Sequence, residues 1–202
     1  MRLSNLVQDG RGWETKSRST RYVDDHLEVT TEDVQTPFHP KAKSWTIVYR
    51  KPAVVIAPMT RDGKFLLVQQ ERIPIREAIW EMPAGQIDES LEPTREQIET
   101  TALREMREET GYKLAEDGEL IALGDFFSSP GFTDEHIYLF LARPVEVCPG
   151  DEGSEAEFIL ARRLVTAEEL RKMITENEIR DANTMNICAR LSARGFLSLS
   201  PH

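Results

Sequence analysis

At 202 residues, with 40% hydrophobic and 30% charged side chains, the chain has the size and balance of one globular domain, or of one domain with a small appendage. A formal charge of −10 argues against nucleic acid as the main partner, because a phosphate backbone needs a positive surface, yet a small anion can still be met by local arginines or a bound cation. No apolar run reaches the roughly 18 residues of a membrane span, so no membrane contact is expected. The polar stretch 1–12 has no signal-peptide core. Cys148 and Cys188 stand far apart outside any CxxC pattern, which makes a disulfide scaffold or structural zinc site unexpected and a reducing cytoplasm the default.

Taken in chain order, residues 1–50 read as a β-rich N-terminal region preceding a domain over 51–202. Tyr22 to Val34 alternates loosely, and Trp45 to Arg50 follows a turn at Pro40-Lys41. Ala53 to Pro58 and Phe65 to Gln70 are buried-strand candidates joined by a hairpin turn at Arg61-Asp62-Gly63. Ile79 to Met82 is a short strand ending at Pro83. From Glu92 to Thr110 the composition is helix-forming, with Gly111 as the stop. Strands at Leu120 to Phe127 and Ile137 to Ala142 flank a loop, residues 128–135, rich in turn formers. An acidic loop, Pro149 to Glu157, leads to a strand at Phe158 to Leu164. Two helices close the chain, Thr166 to Glu176 with Thr166 as N-cap, and Ala182 to Arg194. Strands outnumber helices around one central helix, which predicts an α+β fold rather than a parallel βαβ series.

The central helix carries the chemistry. At about 100° per residue, Glu105, Glu108 and Glu109 share one face, while Leu103 and Met106 point away toward a sheet. Glu105 and Glu109 form a like-charge i,i+4 pair, and Arg104, which can pair with Glu108, does not balance three carboxylates. A hard divalent cation would, since Mg²⁺ prefers oxygen ligands. Read alone, the segment fits a solvated acidic face equally well. His26, His39, His136 and His202 show no ligand spacing.

Residues 85–112 resemble the Nudix box, the signature of the Nudix hydrolase family: Gly, five residues, Glu, seven residues, Arg-Glu, an apolar residue, any residue, Glu-Glu, any residue, Gly, an apolar residue. Here Glu96 is followed after seven residues by Arg104-Glu105-Met106-Arg107-Glu108-Glu109-Thr110-Gly111-Tyr112, in register. Gly85 stands eleven residues before Glu96 instead of six, so a five-residue insertion falls within Ser90 to Arg95. Further stretches look like the ADP-ribose pyrophosphatase branch of the family. They are Leu67-Val68-Gln69-Gln70-Glu71-Arg72, Trp80-Glu81-Met82-Pro83-Ala84-Gly85, Ser129-Pro130-Gly131-Phe132-Thr133-Asp134-Glu135, Glu155-Ala156-Glu157-Phe158-Ile159 and Glu178-Ile179-Arg180-Asp181-Ala182-Asn183-Thr184.

The resemblance implies a Nudix α/β/α sandwich preceded by a small β-rich region that mediates homodimerisation. It implies hydrolysis of the pyrophosphate of ADP-ribose to AMP and ribose 5-phosphate with Mg²⁺, or Mn²⁺ in its place. The carbonyl of Ala84 and the carboxylates of Glu105 and Glu109 would bind metal, with Glu108 helping and Arg104 orienting a neighbouring glutamate. Glu155 is the candidate base, with Glu157 as a further metal contact or substitute base, although Pro149 to Glu157 also reads as a plain solvated loop. Trp13 and Trp45 would stack on adenine, Arg50 and Arg72 would meet the pyrophosphate, and Pro130 would mark ADP-ribose specificity. Each has a plainer reading: tryptophans in a core or interface, surface arginines, an ordinary turn. The alternatives are another nucleoside diphosphate sugar such as GDP-mannose, a dinucleotide substrate, or a catalytically silent ADP-ribose sensor. Sensors of that kind typically lose box carboxylates, all of which are present here.

Overall fold

The computed structural model describes residues 9–88, 92–149 and 158–199. Near the N-terminus, β1 (Glu14–Val23), β2 (Leu27–Thr36) and β3 (His39–Arg50) form an antiparallel three-stranded sheet in that order. The strand expected across Tyr22 to Val34 is broken, because the Asp24 carboxylate accepts the N–H groups of His26 and Leu27, both at 2.8 Å, and closes a turn there. The next turn also falls earlier than expected: Thr36 pairs with His39, and Pro40 and Lys41 lie inside β3. A proline is tolerated there because β3 is an edge strand of this sheet.

The second sheet has the order β10-β5-β4-β9-β8, with β6 added to β5 and β7 to β4. Its strands are β4 (Ala53–Thr60), β5 (Phe65–Arg72), β6 (Glu77–Glu81), β7 (Ala84–Gln86), β8 (Tyr112–Phe127), β9 (His136–Val147) and β10 (Ile159–Val165). The hairpin between β4 and β5 turns at Arg61-Asp62-Gly63, where Gly63 takes a φ of +79°. β4 and β9 run parallel, and the other pairings are antiparallel. The two long strands β8 and β9 exceed the expected Leu120 to Phe127 and Ile137 to Ala142. In β8 an irregularity between Leu114 and Glu119 absorbs the polar residues that read as non-strand.

β4 shows why this domain has two cores. Val54 and Ile56 join a cluster with Ile98, Ala102 and Met106, whereas Ala53, Val55 and Ala57 join one with Leu170, Ile187 and Leu191. The first cluster is closed by α1 (Arg95–Thr110), the second by α2 (Ala167–Thr175) and α3 (Ala182–Ala193). A strand covered on both faces must be apolar throughout, and each fully buried aliphatic side chain contributes about 1.5–3 kcal/mol. The result is the helix–sheet–helix sandwich of the α+β fold.

α1 begins at Arg95 instead of Glu92. Pro93 disfavours a helical conformation at Glu92, and Thr94 and Gln97 form a reciprocal capping box. Gly111 ends the helix with a φ of +74° and donates its N–H to the Arg107 carbonyl. Glu96 thus lies in the first turn. Among the described residues no helix is long and apolar enough to cross a membrane.

Candidate active site

The sheet–α1 junction gathers the charged residues. Met106 is fully buried, which rolls Glu105 and Glu109 toward β7. Glu109 is itself 7% exposed and accepts a hydrogen bond at 3.1 Å from the backbone N–H of Ala84. Burial pushes its carboxyl up to about 8, against the pull of the Ala84 N–H and the nearby Arg72 charge. Burial also raises Glu105, opposed by Arg104. Arg104 reaches two carboxylates at once: Nη1 donates to Glu108 at 2.6 Å and Nη2 to Glu105 at 2.7 Å. Gly85 packs directly on Glu105, and a Cβ at this position would overlap its carboxylate.

Among the described residues no three His, Cys, Asp or Glu side chains form a ready-made cation cage, and no salt bridge reaches Glu109. Arg104 already draws Glu105 and Glu108 to itself. What remains is the desolvated Glu109 carboxyl, bonded to the Ala84 N–H with the Arg72 charge nearby, beside a backbone segment that can offer a carbonyl and a second carboxylate. These are hard oxygen donors, and their surplus negative charge suits a divalent ion.

The segment leading into β7 is pinned from several sides. The Pro83 carbonyl accepts the Ile56 N–H at 2.9 Å, and the buried Thr184 hydroxyl accepts the Met82 N–H at 2.8 Å. Asp181 caps α3 by accepting the Thr184 N–H at 2.8 Å, and burial raises its carboxyl. Arg162 on β10 donates to the main-chain carbonyl of Glu109 at 2.6 Å. Arg72 is paired with Glu81, which is 2% exposed, through Nε at 2.7 Å and Nη2 at 2.5 Å. Sequence reasoning missed Glu81, Asp181, Thr184 and Arg162 as parts of this neighbourhood. The only available signal was that Glu81, Asp181 and Thr184 belong to stretches already singled out for other residues.

Arg50 lies apart from that cluster. Its Nη1 pairs with Glu135 at 2.8 Å, its backbone N–H goes to Asp134 at 3.0 Å, and its buried Nε has no hydrogen-bond partner. The loop after β8 runs along β3. Val48 donates to the Phe132 carbonyl at 2.8 Å, and the Trp45 indole N–H donates to the Gly131 carbonyl at 2.9 Å. Pro130 is exposed in this loop. Trp13, just before β1, and Trp45 on β3 are 48% and 54% exposed, and among the described residues no ring contact joins them within one chain. Glu155, Glu157 and His202 lie outside the described residues, as do Ser90 and Leu91 of the insertion.

Known proteins share similarity with most of this chain. The NUDIX domain family profile matches residues 49–186. An ADP-ribose pyrophosphatase of Bacillus subtilis is 37% identical over 159 residues, covering 78% of this chain and 80% of that protein. A methanol dehydrogenase activator of Bacillus methanolicus is 31% identical over 159 residues, or 79% of this chain and 81% of that one. Among solved structures, an ADP compounds hydrolase superposes with a TM-score of 0.73 over 95% of this chain and 100% of its own, at 15% identity, a likeness of fold.

Proposed function

The chain belongs to the Nudix hydrolase family, and on that premise we propose that it hydrolyses the pyrophosphate of ADP-ribose to AMP and ribose 5-phosphate with Mg²⁺. The observation that carries the reading is the buried Glu109 carboxylate bonded to Ala84, which unites the acidic helix with the strand 25 residues before it. The choice of substrate rests on the relatives named ADP-ribose pyrophosphatase.

The carbonyl of Ala84 with Glu105, Glu109 and Glu108 would hold the cation, with Mn²⁺ able to replace Mg²⁺. Bound there, a divalent ion neutralises phosphate charge and acidifies a water. The protein's own share is positional. Arg104 holds Glu105 and Glu108 against mutual repulsion, and Gly85 leaves the space that the Glu105 carboxylate fills. Arg72 offers its charge to the pyrophosphate beside Glu109, and Arg50 does so from β3. Glu155 takes the proton of the attacking water, with Glu157 as a substitute or metal contact. Trp45, held by Gly131 next to Pro130, offers a ring face to adenine. The other side of that clamp is Trp13 of a second copy, since the two rings of one chain make no contact. The working form is therefore a homodimer built through residues 1–50, acting on a small nucleotide in the cytoplasm.

The test is a panel of ADP-ribose, ADP-glucose, GDP-mannose, UDP-glucose, NADH and diadenosine polyphosphates with and without Mg²⁺, and light scattering for the dimer. ADP-ribose should give the highest kcat/KM. A better sugar nucleotide would sink the substrate assignment and leave the chemistry. Binding without any turnover would replace the enzyme by a sensor.

A further inference from the structure

A guanidinium is a planar fork with five N–H donors. At Arg72 two of them, one on Nε and one on Nη2, run side by side to the two oxygens of Glu81 at 2.7 and 2.5 Å. This edge-on pairing occupies one side of the plane. The two Nη1 hydrogens and the second Nη2 hydrogen face the other way, and no described residue makes a further hydrogen bond to them. The burial of the two partners is unequal: 38% of the Arg72 side chain is exposed against 3% of that of Glu81. The carboxylate is thus fixed inside the protein while more than a third of the arginine side chain meets solvent. Arg72 also lies within electrostatic reach of Glu109 and of the α3 cap Asp181. The Arg72 charge therefore acts on the site where the phosphates are placed above.

We propose that Glu81 is a positioning residue, which locks the Arg72 guanidinium so that its open edge receives two oxygens of the substrate's pyrophosphate. The inference rests on the assignment of a pyrophosphate substrate to this site. A long arginine free in solvent would surrender its rotamer freedom on binding, whereas here that freedom is given up during folding. Simple neutralisation of a buried carboxylate needs a cation nearby but no particular edge. A parallel two-bond pairing with the remaining donors turned outward is what aiming requires.

The test is a double-mutant cycle on the full chain, with two readouts: calorimetric affinity for ADP-ribose in EDTA, and kcat/KM with Mg²⁺. Arg72→Ala should weaken both by on the order of 100-fold and Glu81→Gln by on the order of 10-fold. In the Arg72→Ala background, Glu81→Gln should cost less than about 2-fold more, because nothing is left to aim. Effects that multiply would overturn the proposal. Arg72→Lys, which keeps the charge and loses the fork, should fall within about 3-fold of Arg72→Ala, and wild-type affinity in that variant would overturn it even if Glu81→Gln does not fold. The EDTA affinities separate the two levels of argument: no turnover with the cycle intact defeats the hydrolase assignment alone, and turnover with a multiplicative cycle defeats only the role of Glu81.

Discussion

The three-stranded and the seven-stranded sheets bury opposite kinds of side chain. In the larger sheet the inner residues are mostly aliphatic: Val54, Val55, Ile56, Leu67, Leu139 and Leu141 are all fully enclosed, with Glu81 the buried acid on β6. In the smaller one, Glu28, Thr30 and Glu32 are enclosed on β2, while Phe38, Tyr22, Trp13 and Trp45 are exposed. Glu32 is satisfied by the Tyr49 hydroxyl at 2.8 Å, the Thr30 hydroxyl at 2.8 Å and Arg18 at 2.8 Å. The large sheet is a scaffold whose stability comes from apolar area, and the small one is a polar-cored platform that keeps its aromatic area for something else. On the function proposed above, work divides along the same line, with the chemistry set into the sandwich and the recognition surface on the platform.

The sharpest way to separate the two is Glu109→Gln. It should lower hydrolysis by about 10³-fold, the weight of several kcal/mol of charge stabilisation, and leave the thermal midpoint nearly unchanged, since the amide keeps an oxygen to accept the Ala84 N–H and no longer carries a charge that burial disfavours. AMP release measured beside calorimetry checks both, and an active variant would break the assignment of chemistry to the sandwich. Next in size is Leu139→Ala, at a residue wholly buried in β9. It should cost about 2–5 kcal/mol in denaturant unfolding, against no measurable loss for Phe38→Ala at an 82% exposed ring. Equal losses would erase the distinction between scaffold and platform.

Tyr49→Phe leaves Glu32 short of a donor and should cost about 1–3 kcal/mol. Hydrogen exchange should quicken over β2 and stay slow in β4 and β9, while uniform acceleration would mean the two sheets unfold as one. The smallest effect concerns Asp134, whose carboxyl burial pushes up to about 6, partly offset by the Arg50 N–H. Its folded-state value lies above the unfolded one, so the stability it contributes is present at low pH and is lost as pH rises through about 6. Asp134→Asn cannot ionise and keeps the acceptor, so its midpoint should gain on the wild type between pH 4 and 7. A difference that does not change with pH would contradict the burial at the seam between platform and sandwich.

Much of the sandwich was legible because its signals are local. The acidic face of α1 follows from helical spacing, Gly111 from the need for a left-handed stop, and β4 from an unbroken apolar run. The platform was read less well. Alternation there carries glutamates inward, against the usual rule, and Pro40 looks like a turn although an edge strand accepts it. Arg72 was singled out, but not Glu81, which reaches it across a β5–β6 pairing, nor Asp181, more than a hundred residues later. Pairings of that kind arise from how strands and helices meet, and no periodicity within a segment encodes them.

The Met82 N–H that closes on Thr184 gives the chain an order of events during synthesis. The strand that presents Ala84 is made early, yet its last anchor is translated roughly 100 residues later, on the order of 5–20 s at ordinary ribosome speed. The parallel partner of β4, strand β9, also arrives late. A nascent chain therefore carries the acidic helix well before it can hold the loop opposite in place, and a ribosome stalled ahead of α3 would display a Nudix box that cannot yet turn over nucleotides.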